Sequence, residues 1–313
     1  MSLSQTAAQF LMIRPAAFGF NADAALSNAM QEAPQQDAAT LQARAAGEFA
    51  AATTALRAAG VQLCVQQDTP LPAKPDALFP NNWVSFHHDG TLVLYPMQPA
   101  SRRPERRRDL VDATIAASGF RLTRTVDLSD FEGRGEFLEG TGSLVLDHQR
   151  RTAYACRSAR TSDTLVARWC ALMGYEPMVF DATDAAGKPY YHTNVMLSIG
   201  EDWALIARDT LELRDRPAVM RALEVSGRQV YCVDRAAVQR FACNILELTS
   251  HAANGDRVAV IAMSASAKAA LQSCSDGRAL LAHKPAVASA LPTIEGCGGG
   301  SLRCMLTEIF SIP

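Results

Sequence analysis

The sequence predicts an α/β fold made of five ββαβ units about a pseudo-fivefold axis. Three observations predict it. Five helix-like segments each stop at a glycine, and those glycines recur at intervals of about 50 to 60 residues, which is the mark of a structural repeat. A strand-like run follows each helix, and a hairpin pattern precedes each of the later four. The two ends of the chain each supply one more strand-like run, the two arms of a fifth hairpin.

The helices come in order. Residues 37–59 are alanine-rich, carry Leu41, Phe49 and Leu56, and stop at Gly60. Residues 104–118 open on Pro104, which suits a first helical position, and stop at Gly119. Residues 161–173 open on Thr and Ser caps and stop at Gly174; 217–226 stop at Gly227; 264–276 stop at Gly277. A glycine just past a helix fits the left-handed closing position. The following strands are expected at 61–65, 120–128, 175–180, 229–233 and, more weakly, 279–283. Hairpins are expected from 83–86 with 91–95, 142–146 with 152–156, 194–199 with 203–207, and 245–249 with 257–262, each with turn residues between apolar runs. If 10–13 pairs with 301–310, the ring closes and no sheet edge is left exposed. The Pro-rich stretch 70–80 reads as one loop, so residues 1–313 read as a single domain.

Composition narrows the function. The 313 residues carry 30 Lys and Arg against 32 Asp and Glu, a net charge of -2. That balance argues against broad capture of nucleic acid. No apolar run approaches the ~20 residues of a membrane span, and the first residues lack a secretory pattern. The eight cysteines are scattered without a C-x-x-C pair. Reduced thiols in the cytoplasm, with no structural zinc, is the expectation. No H-E-x-x-H spacing points to a metal, and no cofactor is expected. The expected partner is a small molecule, with homodimerisation left open.

In such a ring the starts of the hairpins converge on the axis. Those starts hold Asn81-Asn82, Glu139, His192-Thr193-Asn194, Asn244 and Arg303-Cys304. A carboxylate, an imidazole and a thiol therefore come from three units and can meet. The glycine run at 296–301 before Cys304 reads as a close-approach loop whose backbone N–H groups could face an anion. A thiol beside it is a candidate nucleophile. Each has a plainer alternative: a structural buried Cys, a satisfied His, a strand-edge Glu bound to backbone. The other cysteines, such as Cys170 and Cys232, read as core, and His87, His88, His148, His251 and His283 as surface. Five arginines fall in residues 102–108. Arg106 to Arg108 fit the solvated first turns of a helix. Arg102 and Arg103 precede Pro104 in a loop and could clasp a carboxylate bidentately. A dehydrogenase or nucleotide enzyme is disfavoured, because the glycines precede a strand rather than open a helix.

These residues resemble the guanidino-modifying superfamily of arginine deiminases, dimethylarginine hydrolases and glycine amidinotransferases, which share the five-bladed α/β-propeller called the pentein fold. The resemblance spans essentially the whole chain. Phe137-Leu138-Glu139-Gly140 is similar to the family's Glu-Gly motif, His192-Thr193-Asn194 to its His motif, and the glycine run ending at Cys304 to its nucleophile motif. Pro99-Ala100-Ser101-Arg102-Arg103 and Ser158-Ala159-Arg160-Thr161 resemble loops that hold a substrate carboxylate. Phe79-Pro80-Asn81-Asn82-Trp83 and Gly300-Ser301-Leu302-Arg303-Cys304-Met305 are similar to signatures of an amidinotransferase-like branch that includes citrulline-utilization hydrolases.

The resemblance implies covalent hydrolysis, with Cys304 attacking the planar carbon, His192 moving protons, and Glu139 orienting His192 and raising its pKa. Arg102, Arg103 and Arg160 are then the carboxylate binders. One departure bears on substrate. Members acting on a guanidinium place Asp where this chain has Asn82 and Asn194. An amide can donate to a carbonyl oxygen, which an ionised carboxylate cannot. That favours a ureido substrate: citrulline or an acylated relative. Amidino transfer and a non-catalytic binding ring stand as alternatives; the second has no need of the Glu, His and Cys set.

Overall fold

The computed structural model describes residues 3–252 and 254–310. It contains fifteen strands: β1 Gln9–Arg14, β2 Gln62–Gln67, β3 Val84–Phe86, β4 Thr91–Leu94, β5 Arg124–Asp127, β6 Leu144–Asp147, β7 Thr152–Cys156, β8 Glu176–Phe180, β9 Leu197–Ile199, β10 Trp203–Ile206, β11 Gln229–Cys232, β12 Leu246–His251, β13 Arg257–Ser264, β14 Ala286–Ser289 and β15 Thr307–Ile309. They form one pattern five times. In β3-β4-β5, β6-β7-β8, β9-β10-β11 and β12-β13-β14, the first two strands are antiparallel and the third is parallel to the second. The fifth copy is split between the chain ends. β15 lies antiparallel to β1, with Phe10 opposite Glu308, and β2 lies parallel to β1. A bridge from Ile309 to Phe86 joins this copy to β3-β4-β5.

A helix makes each parallel crossover. These are Ala38–Ala58, Arg108–Ser118, Asp163–Met173 and Arg216–Val225, with the pair Ala265–Gln272 and Ser275–His283 in the last copy. Each buries one face. In Asp163–Met173 the buried residues are Leu165, Val166, Trp169, Cys170 and Met173, the three-and-four spacing of an amphipathic helix. In Ala38–Ala58, Leu41, Ala45, Phe49, Ala52 and Leu56 pack in one cluster with Phe10 and Met12 of β1 and with Leu302 and Met305 beside Cys304. The wall behind the thiol is thus a packed core.

Three expectations need correction. Gly277 does not close a helix. It lies inside Ser275–His283, where an added Cβ would sit 2.2 Å from the Leu271 carbonyl oxygen, so close packing of two helices explains it. Residues 279–283 are accordingly helical, and the strand is β14. Pro104 does not open a helix either. Residues Ala100–Glu105 form a tight 3-10 turn, in which the Arg102 guanidinium folds back on Glu105, and the α-helix starts at Arg108. Finally, half of the glycine run is helical. Pro292–Gly298 forms a helix because the Glu48 carboxylate accepts the N–H groups of Thr293 and Ile294 at 2.9 and 3.0 Å, and Gly299 closes it at φ 62°. A cap supplied from 245 residues away has no local signal.

His87, His88 and His148 are buried, not surface. The His88 and His148 rings lie 5.1 Å apart, and Phe310 stacks on His88 at 3.9 Å. Burial pushes His87 down to about 3 and His88 to about 4, and holds His148 well below its ordinary value. The unfolded chain takes up these protons near pH 6.5, whereas the folded chain does so only far lower. Stability is therefore full above pH 6.5 and declines as the pH falls towards 4. Between pH 7 and pH 4 we expect Tm to fall by roughly 10 °C, at about 1.4 kcal/mol per unit of depression. A flat Tm by calorimetry over that range would contradict a neutral imidazole cluster.

Candidate active site

Each copy of the repeat begins with a tight turn immediately before its first strand, and these turns carry the polar residues. Pro80–Asn82 precedes β3, Gly140–Ser143 precedes β6, Thr193–Val195 precedes β9, and Leu302–Met305 ends just before β15. Asn244 follows a turn in which its N–H bonds the Phe241 carbonyl at 2.8 Å. Two glycines let the turns meet. At Gly140, with φ 47°, a Cβ would lie 2.2 Å from the Asn81 carbonyl oxygen. At Gly142 it would lie 2.5 Å from Asn82 Nδ2 and 2.6 Å from His192 Nδ1.

Glu139 is fully buried at the centre of this set. Its Oε2 lies 2.8 Å from His192 Nε2 and 3.3 Å from Arg160 Nη1, and its Oε1 accepts the Gln98 N–H at 3.0 Å. Arg102 Nη1 stands 3.9 Å from the same Oε2. Burial pushes the Glu139 carboxyl up, but Arg160, His192 and Arg102 together outweigh it and hold it below the carboxylate range. Glu139 is therefore an anion. It fixes the His192 proton on Nε2 and leaves Nδ1 as a lone pair.

The imidazole does not gain the raised pKa expected from sequence. Burial pushes His192 down, and the Glu139 hydrogen bond only partly restores it, because Arg160 and Arg102 lie near. Cys304, 3% exposed, is likewise pushed up by burial. The resting site is thus neutral thiol beside neutral imidazole. The sulfur is held by amides: Asn194 Nδ2 donates to Sγ at 3.7 Å and Asn244 Nδ2 at 3.3 Å.

Of the three arginines expected to bind a carboxylate, Arg102 and Arg160 are buried and fixed. Arg102 clasps Glu105 through Nε and Nη2 at 2.9 and 2.8 Å and donates through Nη1 to Asn82 Oδ1 at 2.9 Å. Burial and its neighbours Asp76 and Glu139 push Glu105 up to about 7 against the pull of Arg102. Arg160 donates to the Ala24 carbonyl at 2.7 Å and to Ser27 Oγ at 2.9 Å, with its guanidinium 5.2 Å from the Tyr191 ring centre. Arg103 is not part of this set. It is about a third exposed, bonds the Met97 carbonyl and pairs with Glu132 at 3.3 Å, outside the cavity. Arg106 pairs with the same Glu132, and Arg107 with Asp68 and Asp109, so only Arg108 is a simple solvated helix residue.

A cavity of about 10 Å³ is lined by Asn82, Arg102, Arg160, His192 and Cys304, together with Asp76. Asp76 was not picked out from sequence. Its Oδ2 accepts Asn21 Nδ2 at 2.7 Å, while its buried Oδ1 has no partner. Burial pushes this carboxyl up and Arg102 pulls it back. Its one signal was an acid inside the Pro-rich stretch just before Asn81-Asn82. Two further lining residues were also missed: Asn28 Nδ2 and Gln31 Nε2 donate to the carbonyls of Gly299 and Gly298 at 3.1 and 3.0 Å. A larger hollow of about 540 Å³ lies by Arg157, Asp181 and Arg214, but ion pairs line its wall and neither a Cys nor a His is among its lining residues. Among the described residues no cluster of His, Cys, Asp or Glu is placed to hold a metal, and no helix is long and apolar enough to cross a membrane.

Comparison with known proteins bears on the family and the fold. A family model described as N,N dimethylarginine dimethylhydrolase, eukaryotic, matches residues 14–311. Among curated proteins none matches the sequence. Among solved structures, ArgZ, an arginine dihydrolase of the cyanobacterial ornithine-ammonia cycle, is similar at TM-score 0.72 and 15% identity over 97% of this chain. This chain spans 40% of that protein's length. A variant of the ArgZ N-terminal domain, covalently bound to a reaction intermediate, is similar at TM-score 0.72 and 15% identity, with 99% of that chain covered. A dimethylarginine hydrolase from Pseudomonas aeruginosa, complexed with citrulline, is similar at TM-score 0.64 and 12% identity, over 97% of this chain and 99% of that one. With the family model spanning nearly the whole described chain, this protein belongs to the N,N dimethylarginine dimethylhydrolase family, within the pentein superfamily of guanidino-modifying enzymes.

Proposed function

We propose that the chain is a Cys304-dependent hydrolase of a C–N bond in an arginine-related amino acid, with citrulline as its substrate. The reading takes residues 1–313 as one cytoplasmic catalytic domain, five modules ringed as a propeller about the cavity, needing no cofactor. The observation that carries it is the meeting of Cys304 and the His192–Glu139 pair, from three modules, in a cavity walled by Arg102, Arg160 and Asp76.

The chemistry follows from those positions. Cys304 gives its proton to His192, and the thiolate attacks the ureido carbon. His192 returns the proton to the departing nitrogen, which leaves as ammonia. Water, deprotonated by His192, then cleaves the S-linked intermediate. Cys304 is restored, and the carbamate breaks down to ornithine and carbon dioxide. Glu139 stabilises the imidazolium that forms in each half. Arg102 and Arg160 are the cations available to the substrate carboxylate. The unpartnered Asp76 Oδ1 suits an ammonium, which favours a free α-amino group over an acylated one. A cavity of about 10 Å³ holds no more than a water, so its lining must move apart to admit an amino acid.

The two amides support the ureido reading in different ways. Arg102 holds Asn82 Oδ1, and Nδ2 gives one N–H to Asn81 Oδ1 at 3.2 Å, which leaves its second N–H to donate to a carbonyl oxygen. Asn194 spends Nδ2 on the thiol and leaves Oδ1 unpartnered, an acceptor for a substrate N–H. The expectation that both would donate to the carbonyl therefore narrows to Asn82. Family membership favours a second reading, hydrolysis of a guanidino compound such as dimethylarginine.

The test is ammonia and amine release from citrulline, N-acetylcitrulline, arginine, agmatine and dimethylarginine. We expect release from citrulline, well above N-acetylcitrulline and above arginine in kcat/KM. Higher kcat/KM for arginine or dimethylarginine would overturn the ureido assignment. Product transfer to an added amine in place of water would show amidino transfer.

A further inference from the structure

Burial works against the nucleophile. A thiol 3% exposed, in a site whose imidazole is bonded to Glu139 rather than to sulfur, needs another source of thiolate stabilisation. Two features supply it, and neither follows from the nucleophile, the imidazole or the carboxylate.

The first is Asn244, fully buried at the entry to β12. Its Nδ2 donates to Cys304 Sγ at 3.3 Å and to the Asn194 carbonyl at 3.1 Å, while Sγ donates to its Oδ1 at 3.5 Å. One amide thus faces the sulfur with both ends, and the Asn194 carbonyl fixes its plane. The backbone leading to it is strained. Phe241, buried and not a glycine, sits at φ 56°, and its carbonyl accepts the Asn244 N–H at 2.8 Å. A left-handed aromatic costs roughly 1–3 kcal/mol and persists where the surroundings hold it. Here it turns the chain so that the amide meets the thiol.

The second is Arg303, next to Cys304 in the turn Leu302–Met305. It is 7% exposed and donates through Nη1 to the Leu197 carbonyl at 2.9 Å. Among the described residues no carboxylate lies within ion-pair distance of it, unlike Arg102 and Arg160. Glu308, pushed up to about 7 by burial, compensates it only partly. An unpaired buried cation is costly unless an anion forms near it, and the thiolate of the adjacent residue is that anion.

We propose that Asn244 is a catalytic residue that holds the Cys304 thiolate, and that Arg303 is a positioning residue whose charge supports it from the neighbouring position. No bond to Asn244 forms or breaks. When Cys304 ionises, its proton passes to water in the free protein or to His192 in the complex. The amide then exchanges an accepted S–H for a donated N–H. The proposal rests on Cys304 being the nucleophile.

The test is the pH dependence of Cys304 alkylation by iodoacetamide, which forms an S–C bond and releases iodide. Modification is assigned to Cys304 by peptide mass, since Cys64, Cys232 and Cys274 are only partly buried. Below the thiol pKa the rate follows the thiolate fraction. In Asn244→Ala and in Arg303→Met we expect roughly tenfold slower alkylation and an apparent pKa about one unit higher. Arg303→Lys should restore most of the rate. Asn244→Asp keeps the shape, guards against loss of fold, and should slow alkylation further by placing a carboxylate against sulfur. Wild-type alkylation profiles in folded Asn244→Asp and Arg303→Met would overturn the proposal while leaving the proposed function standing. Turnover surviving in Cys304→Ala would instead remove the function on which it rests.

Discussion

Cys304→Ala is expected to abolish turnover, with kcat falling at least about 10⁴-fold, because the covalent path has no other route. The fold should survive. Cys304 sits in a short turn among Leu302 and Met305, and the sulfur's partners are two neutral amides rather than a charge. Substrate binding should survive too, since Arg102, Arg160 and Asp76 are untouched. Steady-state kinetics beside a binding titration check this. Wild-type kcat in the alanine variant would refute the covalent scheme outright.

Glu139→Gln is expected to be nearly as severe, for a different reason. The carboxylate is the one anion shared by His192, Arg160 and Arg102. An amide at that position leaves two buried guanidinium groups less compensated, and breaking such a buried pairing costs about 3–5 kcal/mol. It also offers His192 no anion to stabilise the imidazolium. We expect Tm to drop clearly and kcat to fall by about 10²–10⁴, while KM moves much less. Calorimetry and steady-state kinetics separate the two effects. A variant with wild-type Tm and kcat would remove Glu139 from both roles.

The repeat was legible because it is written in patterns with local causes. Gly119 and Gly174 close helices with left-handed backbones, and alternating apolar runs flank short turns. The hairpin starts followed from the repeat, and they brought Glu139, His192 and Cys304 to one place by position alone. What stayed hidden depends on contacts distant in sequence. Glu48 caps the helix at Pro292–Gly298, and Leu271 dictates Gly277. His87 and His148 look like turn residues until Phe310 and Tyr175 pack against that region. Arg103 stands beside Arg102 in the sequence, yet a tight turn sends one inward to Asn82 and the other outward to Glu132. Asn244 stood at a hairpin start but gained a role only once Cys304 Sγ was found 3.3 Å from its amide.

The central claim is that Cys304 forms a covalent bond to a ureido carbon. Its most direct test is intact-mass and peptide mass spectrometry of the protein acid-quenched during citrulline turnover, with Cys304→Ser alongside. The account predicts an ornithine-carbamoyl adduct on the peptide bearing Cys304, and neither adduct nor ammonia from the serine variant. Sustained ammonia release with no adduct, proceeding equally in Cys304→Ser, would contradict it.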